Sequence, residues 1–280
     1  MEEGLVSLAH GPLHYRCQNC AQPEAGAALL LHGLLATSFG WRSTLHALAR
    51  RCNSFALDLP GIAASAPLPD FRAPLSRLAA CVAEFWRALR LPPVTLIGSS
   101  WGGAVALETT AQWPEMVERL ILAAPVSPFF RPTWRQRILL RPPAARCAAA
   151  LLRRTPLRWY QAGLETMWAS PAPLAPDLVA GYWQPLQQPR LGPVLAGFVA
   201  EWRADLQHLA PRLSRITAPT LLIWGDRDRV VPPESAAPLC QALSASRLVM
   251  LPGAGHLSFE ERPEAFNAAV LNFLAASPPL

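Results

Sequence analysis

The chain predicts an α/β protein, with a mostly parallel sheet of eight strands flanked by helices and interrupted once by a helical insertion. Short apolar runs alternate with segments of helical spacing along most of its length, the order that builds a parallel sheet with helices on both faces. With 280 residues, 51% of them hydrophobic, it is long and apolar enough to bury one large core. From about 127 to 212 the alternation stops. That stretch is studded with Pro, rich in Trp and Arg, and lacks a clear strand.

In order, 4–17 reads as a hairpin, 27–32 as a strand and 41–51 as a helix. A strand over 54–59 and a helix over 74–90 follow. The apolar run Val94-Thr95-Leu96-Ile97 begins a strand over 94–99. Ala104, Leu107 and Ala111 give the next segment helical spacing from 101, and Trp113-Pro114 stops it, because a proline cannot continue a helix. A strand over 118–124 closes the first half. After the insertion the pattern resumes with a strand at 220–225, a helix at 234–243, a strand at 247–251 and a helix at 259–275. The domains expected are therefore a core of 1–126 and 213–280 and a helical insertion of 127–212. No internal repeats are visible.

Where the strand ending at 99 meets its helix stands Gly98-Ser99-Ser100-Trp101-Gly102. A serine with glycine two positions before and two after, at a strand-to-helix turn, is the frame of a nucleophile elbow. The turn is tight enough to strain the serine backbone and lift its hydroxyl clear of the sheet, and a Cβ at either flanking glycine would crowd a neighbouring strand or helix. Ser100 fits the frame. Ser99 does not, since Ile97 stands two residues before it.

A serine hydroxyl is a poor nucleophile until a histidine takes its proton and an acid holds that histidine in the useful tautomer. Candidates follow in the chain order Ser, Asp, His. Asp228 lies in the polar turn after the strand Thr220–Gly225, and His256 directly follows the Gly-rich loop Pro252–Gly255 after the strand at 247–251. Asp226 competes for the acid role.

These residues resemble the α/β-hydrolase superfamily, in its lidded esterase and C–C hydrolase-like branch. The likeness covers nearly the whole chain. Besides the elbow it rests on Leu31-His32-Gly33, Leu57-Asp58-Leu59-Pro60-Gly61, Trp224-Gly225 through Pro232, and Gly255-His256 followed by Glu260, Pro263 and Phe266. The resemblance implies a cap inserted over the carboxyl ends of the strands. It selects Asp228 as the acid, three residues after Gly225 and four before Pro232, and leaves Asp226 to accept backbone N–H groups in its own turn. It also implies two backbone N–H donors for the oxyanion, those of Trp101 and Leu34. In one place the chain departs from the family pattern, with Ala63 where a second glycine is usual after Gly61.

The other histidines have weaker claims: His10 and His14 in the hairpin, His46 and His208 in helical sequence, and His32 bracing the loop that follows the third strand. Epoxide hydrolases and haloalkane dehalogenases of this fold need aspartate at the elbow. No dinucleotide or P-loop fingerprint is present, no zinc-type spacing occurs, and Cys17-Gln18-Asn19-Cys20 is a lone pair in a predicted hairpin. No cofactor and no metal are therefore expected. The six cysteines show no disulfide rhythm, no secretory leader is visible and no run is long enough to span a membrane, so a cytoplasmic location is expected.

The insertion is set apart by charge. Over 127–212 eleven arginines face four acids, so this segment is more positive than the whole chain at +6. Eight of those arginines fall between 131 and 158, where no acid occurs, and Trp134, Ile138, Leu139, Leu140, Leu151, Leu152, Trp159 and Tyr160 interleave with them. Three readings remain open: steering of anionic substrates, an interfacial element that gives the chain peripheral contact with anionic lipid, and a solvated basic face. Nucleic acid is not expected as a partner. The expected activity is cofactor-independent cleavage of an ester, a thioester or a C–C bond next to a carbonyl in a small acyl substrate. The alternatives are an aminopeptidase of the proline-iminopeptidase type and a ligand sensor without turnover.

Overall fold

The strands nearest the middle of the chain are apolar on both faces, as a parallel sheet buried under helices requires. The computed structural model describes residues 1–21, 26–170 and 173–276. Its strands are β1 (Glu2–Leu8), β2 (Gly11–Gln18), β3 (Gly26–Leu31), β4 (Cys52–Leu57), β5 (Val94–Ser99), β6 (Val117–Ala123), β7 (Thr220–Gly225) and β8 (Ser246–Leu251). They form one sheet in the order β1-β2-β4-β3-β5-β6-β7-β8. β2 is antiparallel to both of its neighbours and the other pairings are parallel. The chain leaves β3 for β4 on one side and returns to β5 on the other. At such a reversal the loops at the carboxyl ends diverge and open a crevice.

The helices of the first half are α1 (Arg42–Leu48), α2 (Leu75–Ala88) and α3 (Trp101–Gln112). Between β6 and β7 come α4 (Trp134–Leu139), α5 (Pro142–Arg154), α6 (Leu157–Glu165), α7 (Pro176–Trp183), α8 (Leu191–Val199) and α9 (Trp202–Leu209), with no strand among the described residues of that stretch. α10 (Ala236–Ala242), α11 (Ser258–Glu261) and α12 (Pro263–Ala275) complete the chain.

Three expected helices differ in detail. The one expected over 41–51 begins as a 3-10 turn, Ser38–Trp41, capped by the Thr37 hydroxyl, and α1 follows. The one expected over 234–243 opens with a 3-10 turn at Pro233–Ser235. The single helix expected over 259–275 is two, because Pro263 drives Arg262 out of the helical region to φ −132° and ψ 56°. Strand ends shift by a residue or two. All six cysteines are free thiols.

The segment between β6 and β7 is bonded tightly to the core. A Cβ on Gly197 of α8 would lie 1.6 Å from the Phe71 carbonyl oxygen, so only glycine lets that helix approach. Tyr182 of α7 donates to buried Glu260 at 2.9 Å, which also accepts from Arg42 at 2.6 Å. Burial pushes the Tyr182 phenol well up and raises Glu260, the latter against the pull of Arg42. Arg190 donates to the carbonyls of Gly61, Ala63 and Ser65.

Ala63 adopts φ +47°, the left-handed region that the usual glycine would occupy freely. Gln188 and Arg190 both donate to its carbonyl at 2.6 Å and hold the turn in place. Ala63→Gly relieves left-handed strain of ~1–2 kcal/mol and adds ~0.5–1 kcal/mol of unfolded-state entropy. The expected net is a rise in Tm of about 1–2 °C, read by thermal unfolding. A fall in Tm would show that the Ala63 backbone is not strained.

Candidate active site

Ser100 closes the turn between β5 and α3 with φ 52° and ψ −117°, a conformation that costs an L residue of order 1–3 kcal/mol. Its neighbours enforce it. Ser100 N–H donates to the Ala123 carbonyl at 3.0 Å, and Ser100 carbonyl accepts from Gly103, Ala104 and Val126. A Cβ on Gly98 would lie 2.4 Å from the Gly102 carbonyl oxygen, and one on Gly102 would lie 2.4 Å from that of Leu31. Helix α3 therefore presses against both β5 and β3, and Ser100 is pushed out at its start. Ser99 points the other way: its side chain is buried and its hydroxyl has no partner among the described residues.

β3 ends beside the elbow. A Cβ on Gly33 would sit 2.9 Å from the Ser100 Cβ, so the glycine brings this loop to the serine. His32, also buried, bonds the Gly33 carbonyl through Nδ1 at 2.8 Å and accepts the Leu59 N–H at Nε2 at 3.0 Å. The proton thus sits on Nδ1, and burial lowers the His32 pKa, favouring this neutral form. Because the peptide is planar and trans, anchoring the Gly33 carbonyl aims the Leu34 N–H the opposite way. Neither Leu34 N–H nor Trp101 N–H donates to another group among the described residues.

β7 and β8 carry the other two groups. Asp228 is buried, and its two oxygens divide the work. Oδ1 accepts from Val230 and Val231 N–H at 2.7 and 2.9 Å, and Oδ2 lies 2.7 Å from His256 Nδ1. His256 is buried, and its own N–H donates to the Met167 carbonyl at 2.9 Å. Ser100 Oγ and His256 Nε2 form no hydrogen bond with each other among the described residues, as is common in enzymes without substrate.

Asp226 does not serve its own turn. It accepts the Gly253 N–H at 2.7 Å, tying the loop after β7 to the one that carries His256. The sequence reading missed Glu261, which bonds the N–H groups of Gly255, Ala169 and Ser170 and so joins the His256 loop to the helical insertion. A glutamate in a short helix after the histidine carries no local signal of that role. Its partners lie up to 92 residues away.

A family model for the alpha/beta hydrolase fold matches residues 28–263. An uncharacterized hydrolase of Bacillus subtilis (strain 168) is 26% identical over 252 residues, covering 90% of this chain and 91% of that protein. A pimeloyl-[acyl-carrier protein] methyl ester esterase of Nitrosospira multiformis is 28% identical over 258 residues, covering 89% and 95%. Among solved structures, a hydrolase from Pseudomonas aeruginosa PA01 is 31% identical, covers 98% of each chain and superposes with a TM-score of 0.79.

Near the site, half-buried His14 is paired with buried Asp58. Asp58 Oδ1 accepts the Ser38 N–H at 2.6 Å, anchoring the far end of the loop after β3, and Oδ2 lies 2.7 Å from His14 Nδ1. The hydrogen bond to Asp58 raises the His14 pKa, burial opposes it, and Glu3 adds a further upward pull. A histidine raised on folding contributes stability that is fully present below its unfolded pKa, about 6.5, and lost as pH climbs through the folded value. His14→Gln is therefore expected to destabilise most below pH ~6.5 and least in the alkaline range. Urea unfolding across that range checks it, and a deficit independent of pH would show that His14 is neutral in the folded protein.

Proposed function

The chain belongs to the alpha/beta hydrolase fold family, and within it we propose a cofactor-independent serine hydrolase that cleaves an ester or thioester of a small acyl substrate. The observation that carries this reading is the strained Ser100 backbone, held at φ 52° beside two N–H groups that have no other partner among the described residues. His256 Nε2 takes the Ser100 proton as Oγ attacks the substrate carbonyl carbon. Leu34 and Trp101 N–H groups hold the oxyanion, each worth ~10²–10³ in rate. Asp228 Oδ2 keeps the His256 proton on Nδ1 and stabilises the imidazolium. His256 then protonates the leaving alkoxide or thiolate. Water, deprotonated by the same histidine, releases the acyl group.

Residues 127–212 serve as the cap in this proposal, with 1–126 and 213–280 as the hydrolase core. The bonds from Met167 to His256 and from Glu261 to Ala169 support that role, since they seat the segment against the catalytic histidine. The esterase relative and its coverage of nearly both chains favour the ester over the C–C bond. An aminopeptidase needs carboxylates to receive a substrate ammonium, and the arginine excess of 127–212 opposes one.

Turnover of a p-nitrophenyl ester series, beside aminoacyl anilides, tests the reading. Ester turnover and labelling by an organophosphonate are expected in the wild type, neither in Ser100→Ala, and both in Ser99→Ala, whose hydroxyl is buried. Equal labelling of wild type and Ser100→Ala would overturn the assignment. Tight binding of a ligand without turnover would favour a sensor.

The two aspartates separate by the property each variant loses. Asp228→Asn forces the wrong His256 tautomer and is expected to cost ~10⁴ in kcat with the fold intact. Asp226→Asn weakens the bond to Gly253 and is expected to lower Tm with kcat largely retained. A larger loss of kcat in a well-folded Asp226→Asn would reverse the two roles.

A further inference from the structure

Nine large hydrophobic side chains are exposed among the described residues, and six of them crowd into α4–α6: Trp134, Ile138, Leu139, Leu151, Leu157 and Trp159. The exposure is high: 68% for Trp134, 69% for Leu151 and 63% for Trp159. The packing explains why. α5 buries Ala145 and Ala149 and turns Leu151, Arg153 and Arg154 outward. α4 buries no residue at all. A helix that settles into a globular core places its large apolar side chains inward, as α6 does with Tyr160 and Leu164, whereas α4 and α5 leave Trp134, Ile138, Leu139 and Leu151 outside.

From 131 to 158 the charge around these side chains is of one sign, and the first acid, Glu165, closes α6. All eight arginines from 131 to 158 are exposed, and none pairs with a carboxylate among the described residues. Arg131, Arg137 and Arg153 donate only to backbone carbonyls. Beside α4 a groove of about 420 Å³ is lined by Arg137, Arg141 and Arg203 together with Leu140, Val199 and Trp202, and its one carboxylate, Glu201, is paired with Arg72.

We propose that α4–α6 form a docking surface for anionic lipid bilayers, with the arginines on headgroup phosphates and the six exposed side chains in the headgroup–acyl boundary. Charge complementarity selects this occupant. A second copy of the chain would bring eight uncompensated arginines against eight. Nucleic acid would satisfy the arginines and leave Ile138, Leu139, Leu151 and Leu157 in water. A bilayer with acidic headgroups meets both demands, and long arginine side chains reach phosphate while their stems stay in apolar surroundings. The proposal stands apart from the chemistry at Ser100.

Sedimentation of the full chain with vesicles tests it, comparing phosphatidylcholine alone with phosphatidylcholine mixed with phosphatidylglycerol. Binding is expected to the mixed vesicles, weakening with added salt, and not to the neutral ones. Each arginine near such a surface is worth about five-fold, so Arg154→Gln with Arg158→Gln is expected to weaken binding roughly twenty-five-fold. Trp134→Gln, Leu151→Gln and Trp159→Gln together are expected to abolish it with circular dichroism unchanged, since none of the three is buried. Ser100→Ala is expected to bind as the wild type does, so loss of the catalytic reading would leave this result standing. Equal binding to neutral vesicles, or full binding by the triple variant, would overturn the proposal. So would a dimer in solution that the triple variant loses, or polyuridylate binding that depends on the same three side chains.

Discussion

Where α3 passes β3, the Leu31 carbonyl occupies the space that a side chain on Gly102 would need, at 2.4 Å from the position of its Cβ. Almost everything about the site depends on this close approach. It sets the start of α3 against the sheet and leaves Ser100 no backbone conformation except a strained one. It also brings the loop after β3 to the serine, where Gly33 is the second residue that must lack a side chain. The cost of the Ser100 backbone, of order 1–3 kcal/mol, is offset by the hydrogen bonds that fix both of its peptide groups. The same hydroxyl on an ordinary helix N-terminus would have neither its projection nor its neighbours.

The proposed acid and base, Asp228 and His256, are positioned differently, by loops that lock one another. Asp226 holds the Gly253 N–H, Asp228 holds His256, Glu261 holds Gly255, and Met167 holds the His256 N–H. Loops from β7 and β8 are thereby joined through charge-assisted bonds, the stronger kind, and a segment of the insertion through the backbone bond at Met167. Such cross-bracing fixes the imidazole before substrate arrives, which is the condition for electrostatic preorganisation. His32 and Asp58 do the same for the loop that presents Leu34. One anchors the Gly33 carbonyl and the other the Ser38 N–H.

The sheet and the elbow were legible in the sequence because their signals are local. Apolar runs mark the strands, and two glycines at fixed offsets mark a turn that nothing bulkier can make. The choice of Asp228 over Asp226 rests on the resemblance to the α/β-hydrolase pattern around Gly225 and Pro232, and the structure puts Asp228 against His256. The duty of Asp226 was misjudged, because its partner Gly253 is 27 residues away and no short-range pattern encodes that bond. Glu261 escaped notice for the same reason. The break before Pro263 was overlooked although its signal is local, since helical spacing continues on both sides of the proline and masks it. Ala63 was visible as a departure, but the arginine and glutamine that hold its positive φ come from the insertion, more than a hundred residues on.

The arginines of the insertion show how little composition says until placement is known. The chain has no lysine at all, so its use of arginine reflects overall composition and carries no functional meaning by itself. Placement divides ten of these eleven arginines into two populations. Arg190 is absorbed by the carbonyls of Gly61, Ala63 and Ser65, and Arg212 by buried Glu108 at 2.7 Å. Those two are structural, joining the insertion to the core at its carboxyl-terminal half. The eight from 131 to 158 remain exposed and without carboxylate partners, alongside tryptophan and leucine that the fold could have buried and did not. Isolated, either feature would be an ordinary solvated surface. Their coincidence on three consecutive helices, in the segment that goes on to contact His256 through Met167, is what the proposed lipid docking rests on.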